Sequence, residues 1–364
     1  YFAELIDEWA PEAHADERLY RLGAAVVEAL AEGARDAATH RYPSYTGMPE
    51  FREAIATWYE KRFGVNLDPD TEIQPLVGSK EGIFHLPVAF IDEGDVALIP
   101  DPGYPVYETG TILAGGAPHL MPLKADNDFL PDYDAIPVEV LERARVLWLN
   151  YPSNPTAACT DLDFFNTSVA FAAENDLVLA HDAAYTEITF DGYVAPSALE
   201  AADAMEHSIE FHSLSKTFNM TGWRIGWVAG APKAVEAIKR LKTNIDSGIF
   251  DAVQRAGIVA LRDAQDYVEE NNATYTRRRD LLCEGLASMG IDVEPPKGSI
   301  YVWVPVPEGH TSESFTTFLL DECDIVVAPG NGYGPSGEGF IRFSLTLPDD
   351  RLEEGVERLR KAVL

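Results

Sequence analysis

The chain has 364 residues, 46% of them hydrophobic and 10% aromatic, enough apolar material to bury a sizeable core, and its length suggests two or three domains. Its 60 acidic and 28 basic residues leave a net charge of −32, which weighs against DNA or RNA as partners because phosphate contacts need a basic surface. Residues 1–20 are acidic where a secretory signal is basic then apolar, and no apolar run reaches the ~18 residues of a membrane span, so the chain reads as soluble and cytoplasmic.

In chain order, helical pattern covers Ala24 to Glu32 and Met48 to Arg62. Short apolar runs that end in turn or polar residues follow at Ile73 to Val77, Val96 to Pro100, Val146 to Leu149, Leu177 to Ala180, Ile209 to Leu214 and Ile225 to Ala229. They read as buried strands. Helical stretches at Glu81 to Phe90, Phe164 to Asn175 and Ala231 to Lys242 lie between several of them, and that alternation predicts a mostly parallel sheet covered by helices. After Asp266 come a long polar helix (Tyr267 to Met289), short strands (Ile300 to Val304, Ile325 to Val327, Phe340 to Leu345) and a final helix (Pro348 to Ala362), the pattern of a smaller α+β domain. The expected organisation is an N-terminal arm or small-domain segment at 1–40, a large domain at 41–265 and a small C-terminal domain at 266–364.

In an open α/β sheet, ligands bind outside the carboxyl ends of the strands. Four such ends carry reactive residues: Gly78-Ser79-Lys80, then Asn150 and Asn154 in NYPSNPT, then Asp182 and Tyr185 in HDAAY, then Ser213 to Lys216 in SLSK. GSKEG joins a strand to a helix, where free backbone N–H groups and the positive helix end suit a phosphate, or simply make a tight turn. Arg224, eight residues beyond Lys216 at the start of an apolar strand, is a second candidate phosphate partner. Asp182 at a buried strand end needs a cation or several donors, unless it only caps the following turn. Lysine is scarce here, with nine in the chain, and Lys216 in a serine-rich turn has the setting of one that forms a Schiff base with a carbonyl. SLSK also matches the SxxK of serine acyl enzymes, but neither SDN nor KTG occurs. Gly332 to Gly337 (GYGPSG) matches GxGxxG yet leads into a strand, so the dinucleotide reading is rejected. No HExxH occurs, and His181 and His212 read as structural.

YPSYTG (42–47), GSKEG (78–82), DPGYPVY (101–107), NYPSNPT (150–156), DAAY (182–185), SLSKTFNMTGWRIG (213–226) and IRFSL (341–345) together resemble the class I/II aminotransferases. These are fold-type I enzymes that use pyridoxal 5′-phosphate, and the resemblance implies a large domain with a mostly parallel seven-stranded sheet between helices plus a smaller α+β domain. KTNIDSGIFDAVQ (242–254) looks most like the LL-diaminopimelate aminotransferases. By this resemblance Lys216 holds the cofactor and shuttles the proton, Asp182 keeps the pyridine nitrogen protonated, and Tyr185 and Asn154 bond the ring 3′-oxygen. Tyr104 stacks on the ring, while Ser79, Lys80, Ser213 and Arg224 hold the phosphate. Tyr42 reaches the phosphate of the neighbouring subunit of a homodimer, and Arg342 forks onto the substrate α-carboxylate, with Asn154 beside it.

The implied reaction moves an amino group between an LL-diaminopimelate-like amino acid and 2-oxoglutarate in lysine biosynthesis, with no nucleic acid, membrane or metal involved. An aspartate, alanine or aromatic aminotransferase, or a C–S lyase of the same fold, remain the alternatives. Two departures stand out. The family usually has glycine after Asn-Pro-Thr, where Ala157 stands here with no catalytic group lost. Relatives also carry a GxGDP-like stretch over the substrate carboxylate, whereas Leu22-Gly23 here runs directly into Ala24. The large negative charge with few lysines further predicts a halophilic protein whose compact state needs salt screening. Cys159, Cys283 and Cys323, an odd set far apart, read as reduced thiols.

Overall fold

The computed structural model describes residues 24–362. Its centre is a seven-stranded sheet of β1 (Ile73–Leu76), β2 (Val96–Asp101), β3 (Ala117–Pro122), β4 (Ala144–Leu149), β5 (Val178–Asp182), β6 (Ser208–Ser213) and β7 (Gly226–Gly230). They lie side by side in the order β1-β7-β6-β5-β4-β2-β3, and only β7 runs against its neighbours. A parallel sheet is covered on both faces, which is why β2, β6 and β7 are buried at every position instead of alternating.

Successive residues still serve opposite layers. Val146 and Trp148 face Ile83, Tyr107 and Ile238 of helices Ser79–Phe90, Val106–Leu113 and Pro232–Lys242. Leu147 and Leu149 face the other layer, with Phe51, Phe165 and Ala256 of helices Pro49–Phe63, Leu162–Glu174 and Asp251–Asp263. The N-terminal helix Ala24–Arg35 packs on helix Asp251–Asp263, where a Cβ on Gly33 would lie 2.9 Å from the Ala252 Cα, and Arg255 pairs with Asp36 at 2.9 Å. The Leu22-Gly23 junction lies outside the described residues.

A second core belongs to the C-terminal part. Helix Gln265–Ser288 leads to an antiparallel sheet of β8 (Tyr301–Pro305), β9 (Ala328–Pro329) and β10 (Phe340–Ser344), in the order β8-β10-β9. Val302 and Ile341 pack there with Leu282, Leu286, Phe315 and Leu319.

Several elements differ from the sequence pattern. The half-exposed edge strand β3 has no buried run to betray it. Helix Ser312–Cys323 opens on a Thr311/Ser314 capping box and ends at Asp324 in the left-handed region (φ 52). The chain then regains strand pairing at Ala328, so the strand expected at Ile325 to Val327 lies two to three residues later, with Ala328 opposite Arg342. The expected polar helix from Tyr267 is preceded by a separate helix, Asp251–Asp263.

Candidate active site

Parallel strands bring their carboxyl ends to one edge, and antiparallel β7 begins where the others finish. A cavity of about 1030 Å³ opens there, closed on its far side by the three-stranded sheet. Every residue given a cofactor or substrate role in the sequence lines it except Tyr42, which is 88% exposed; Asn150, also marked at a strand end, lies off this cavity.

One corner is built for an anion. Gly78 (φ +77) turns the chain from β1 into helix Ser79–Phe90 with no side-chain cap, so that Ser79 and Lys80 carry the first N–H groups of the helix, at its positive end. A Cβ on Gly78 would sit 2.3 Å from Nη2 of Arg224, so only glycine admits the guanidinium against the turn. Arg224, itself left-handed (φ 53), lies immediately upstream of β7. Its Nη1 donates to the Thr221 carbonyl at 2.9 Å and lies 3.4 Å from the Ser215 hydroxyl. Ser213 at the end of β6 accepts from the Ser215 N–H at 3.1 Å, starting the short turn that carries Lys216 into the cavity.

The floor is acidic. Asp182 ends β5 and is buried; Asn150 donates to its backbone carbonyl at 2.6 Å and the Tyr107 hydroxyl donates to its Oδ2 at 2.8 Å. Among the described residues its Oδ1 is buried with no hydrogen-bond partner. Burial pushes the Asp182 carboxyl up to about 6, against the opposing pull of Tyr107 and His181. An orphaned carboxylate oxygen at this depth is costly and calls for a donor from a ligand. Beneath it, Glu210 accepts from His181 Nδ1 (2.8 Å), the Ser197 hydroxyl (2.6 Å) and the Ala198 N–H (2.7 Å). Burial works to raise Glu210, but its bonds with His181 and His212 hold it well below the usual carboxylate range. Both histidines are thereby tied into the fold, as their sequence positions suggest.

The opposite wall comes from the small sheet. Arg342 on β10 is 8% exposed and donates from Nη1 to Asn154 Oδ1 at 2.6 Å. Its guanidinium lies over Tyr301 (3.9 Å) and Tyr333 (4.8 Å), and the Tyr185 hydroxyl donates to that of Tyr301 at 3.3 Å. Asn154 is itself held by its backbone N–H on Asn150 Oδ1 at 2.7 Å. The Lys80 ammonium lies 5.7 Å from the Tyr104 ring. Ala157, where relatives have glycine, adopts the left-handed conformation itself (φ 56). GYGPSG leads into β10 and docks on the end of β2: Asp101 accepts from the Ser336 N–H (3.2 Å) and hydroxyl (2.7 Å), and Gly103 N–H donates to the Tyr333 carbonyl at 2.9 Å. Sequence reasoning passed over Tyr107, Tyr301, Tyr333 and Ser215, although Ser215, Tyr107 and Tyr333 lay inside quoted motifs and Tyr301 inside an expected strand.

A donor-rich cationic corner, a lysine on a short turn and a buried carboxylate oxygen awaiting a donor fit one bound group, pyridoxal 5′-phosphate. The family model for aminotransferase class I and II matches residues 16–359. The chain belongs to the class I and II aminotransferases. This aminotransferase is 55% identical over 334 residues to an LL-diaminopimelate aminotransferase of Dehalococcoides mccartyi, covering 92% of this chain and 86% of the relative. It is 54% identical to that of Desulforudis audaxviator, with the same coverage. Among solved structures, substrate-bound BacF from Bacillus subtilis superimposes with a TM-score of 0.90 at 36% identity, covering 96% of this chain and 88% of BacF. A probable N-succinyldiaminopimelate aminotransferase from Thermus thermophilus gives 0.87 at 36%, covering 93% and 91%. The aminotransferase is thus a fold-type I, pyridoxal-phosphate-dependent transaminase whose substrates are amino and 2-oxo acids.

Proposed function

We propose that this enzyme transfers an amino group between LL-diaminopimelate and 2-oxoglutarate, a step of lysine biosynthesis. The observation that carries the reading is the meeting of Lys216, Asp182, Arg224 and Arg342 on one cavity. The substrate is supported by the relatives of that name at 51–55% identity and by the KTNIDSGIFDAVQ segment.

Pyridoxal phosphate, when bound, supplies an electron sink for negative charge developing at the substrate Cα. Lys216 Nζ would anchor the cofactor, and the same amine would be the base that takes up the substrate Cα proton. Asp182 would hold the ring nitrogen through Oδ1. Tyr185 and Asn154 would hold the ring 3′-oxygen, with Tyr104 beside the ring. The N–H groups of Ser79 and Lys80, with Ser213 and Arg224, would hold the phosphate. Arg342 binds the α-carboxylate; its planar fork suits two carboxylate oxygens, and Asn154 with the two tyrosines fixes that plane.

The same proposal includes a homodimer in which Tyr42 reaches the partner's phosphate. The segment carrying exposed Tyr42 and Tyr45 meets the one carrying exposed Ile245 and Phe250: His40 packs on Phe250 at 6.0 Å and a Cβ on Gly248 would lie 2.8 Å from the Ser44 carbonyl. An apolar rim on so acidic a surface supports a covered face. We also propose that the two sheet units are separate domains of a halophilic, cytoplasmic enzyme; free Cys159, Cys283 and Cys323 suit a reducing compartment.

The test is the visible spectrum of the purified protein in high salt. Its absorption should bleach on adding LL-diaminopimelate and return with 2-oxoglutarate. Bleaching only by aspartate, alanine or an aromatic amino acid would reject the substrate, and release of ammonia without a 2-oxo acid would favour a lyase.

A further inference from the structure

We propose that Tyr107 is a positioning residue of this site: its hydroxyl keeps Asp182 a carboxylate aimed at the cofactor, so that the shared proton rests on the ring nitrogen. The inference rests on the reading that Asp182 faces that nitrogen.

Tyr107 is fully buried, and its hydroxyl reaches the cavity's lining at Asp182. Its ring stacks on Trp148 (4.6 Å, 15°), which stacks in turn on Phe211 (5.9 Å, 30°), and it meets Tyr104 edge-on at 5.7 Å. These contacts fix the plane of the phenol ring. In DPGYPVY the two tyrosines thus divide the work: Tyr104 lines the cavity, and Tyr107, a helical turn on, lies behind the carboxylate. The hydroxyl occupies Oδ2 and leaves Oδ1 alone for the ligand.

A hydrogen bond donated to a carboxylate favours its charged form over the neutral acid. Burial acts the other way on Asp182, and it also raises the Tyr107 phenol well above its ordinary value, so this hydroxyl stays a donor throughout the working range. The other titratable groups around Asp182 are His181 on its own strand, His212 on β6, and Tyr104, Tyr185 and Lys216 around the cavity. His181 is committed to Glu210 and the Tyr151 backbone, and His212 to Glu210. Among the described residues the Tyr107 hydroxyl is the side-chain donor to the Asp182 carboxylate, and the Ala184 backbone favours the charged form to a lesser degree. Without it the carboxylate becomes more basic and draws the proton off the ring, weakening the electron sink.

The test uses the holoenzyme reconstituted with cofactor labelled with nitrogen-15 in the ring. Tyr107→Phe keeps the stack and removes the donor; the ring nitrogen resonance should move toward its unprotonated position, with kcat down about tenfold and KM within about twofold. 4-Aminophenylalanine at 107, a weaker donor of nearly the same shape, should fall between wild type and phenylalanine, and it decides the matter if the phenylalanine variant folds poorly. An unmoved resonance and unchanged kcat in a folded variant would overturn the proposal. Asp182→Asn is the control: if it too leaves the resonance in place, the reading of Asp182 fails, whereas a shift in Asp182→Asn with none at position 107 rejects only the role of Tyr107.

Discussion

Asp182→Asn should make the cofactor-free protein more stable, not less. In the folded chain this carboxyl is pushed up from its ordinary 3.8 to about 6, chiefly by burial. A group that holds its proton more tightly when folded contributes stability below the unfolded value and loses it as pH rises through the folded one. At ~1.36 kcal/mol per tenfold, the ionised Asp182 costs the cofactor-free fold about 3 kcal/mol near pH 8 and about 1.5 kcal/mol near pH 5. Asparagine carries no charge to desolvate, and its side-chain oxygen can still accept from Tyr107. Urea unfolding of both cofactor-free proteins at fixed high salt should therefore show the variant more stable near pH 8, with the gap roughly halved near pH 5. Its affinity for pyridoxal phosphate should fall at the same time, because the site's strain is what the ring nitrogen relieves. A gap that does not change with pH, or a variant less stable near pH 8, would refute the view of Asp182 as a costly buried anion.

Arg342→Lys replaces a fork with a point charge and should raise KM for the amino acid by roughly tenfold to a hundredfold, with a smaller change in kcat, in steady-state kinetics. Ala157→Gly should be nearly neutral in urea unfolding, because relief of a left-handed alanine, ~1–2 kcal/mol, is offset by a lost buried methyl and a looser unfolded chain. Ala157→Val, β-branched and crowded at the same φ, should cost more than about 2 kcal/mol. Lowering salt from about 1 M to 0.1 M extends charge repulsion from ~3 to ~10 Å, so the melting temperature should drop and recover when salt is restored; full stability in dilute buffer would count against the halophilic reading.

The site was legible where chemistry and punctuation coincide. Ser79, Asp182 and Lys216 each follow a buried apolar run and sit beside turn residues, so strand ends alone brought them together. Arg224 was legible for a related reason: it precedes a strand that turns out to run antiparallel, which puts its start at the same edge. Arg342, Tyr104 and Asn154 owed their roles to family resemblance, because nothing local in IRFSL says that this strand of a separate sheet reaches back to Asn154, 188 residues away in sequence. Tyr107, Tyr301 and Tyr333 look like ordinary core aromatics until the fold sets them beside a carboxylate and a guanidinium. β3 and helix Ser312–Cys323 escaped because one is a half-exposed edge and the other ends on an aspartate in place of the usual glycine.

The account stands on Lys216 as the residue that carries the cofactor. Borohydride reduction of the holoenzyme in high salt, followed by peptide mass mapping, reads this directly. The pyridoxyl mass should fall on the peptide containing Lys216, and Lys216→Ala should fold, take up no reducible label and turn over no substrate. Label on a different lysine, or turnover surviving in Lys216→Ala, would contradict the account.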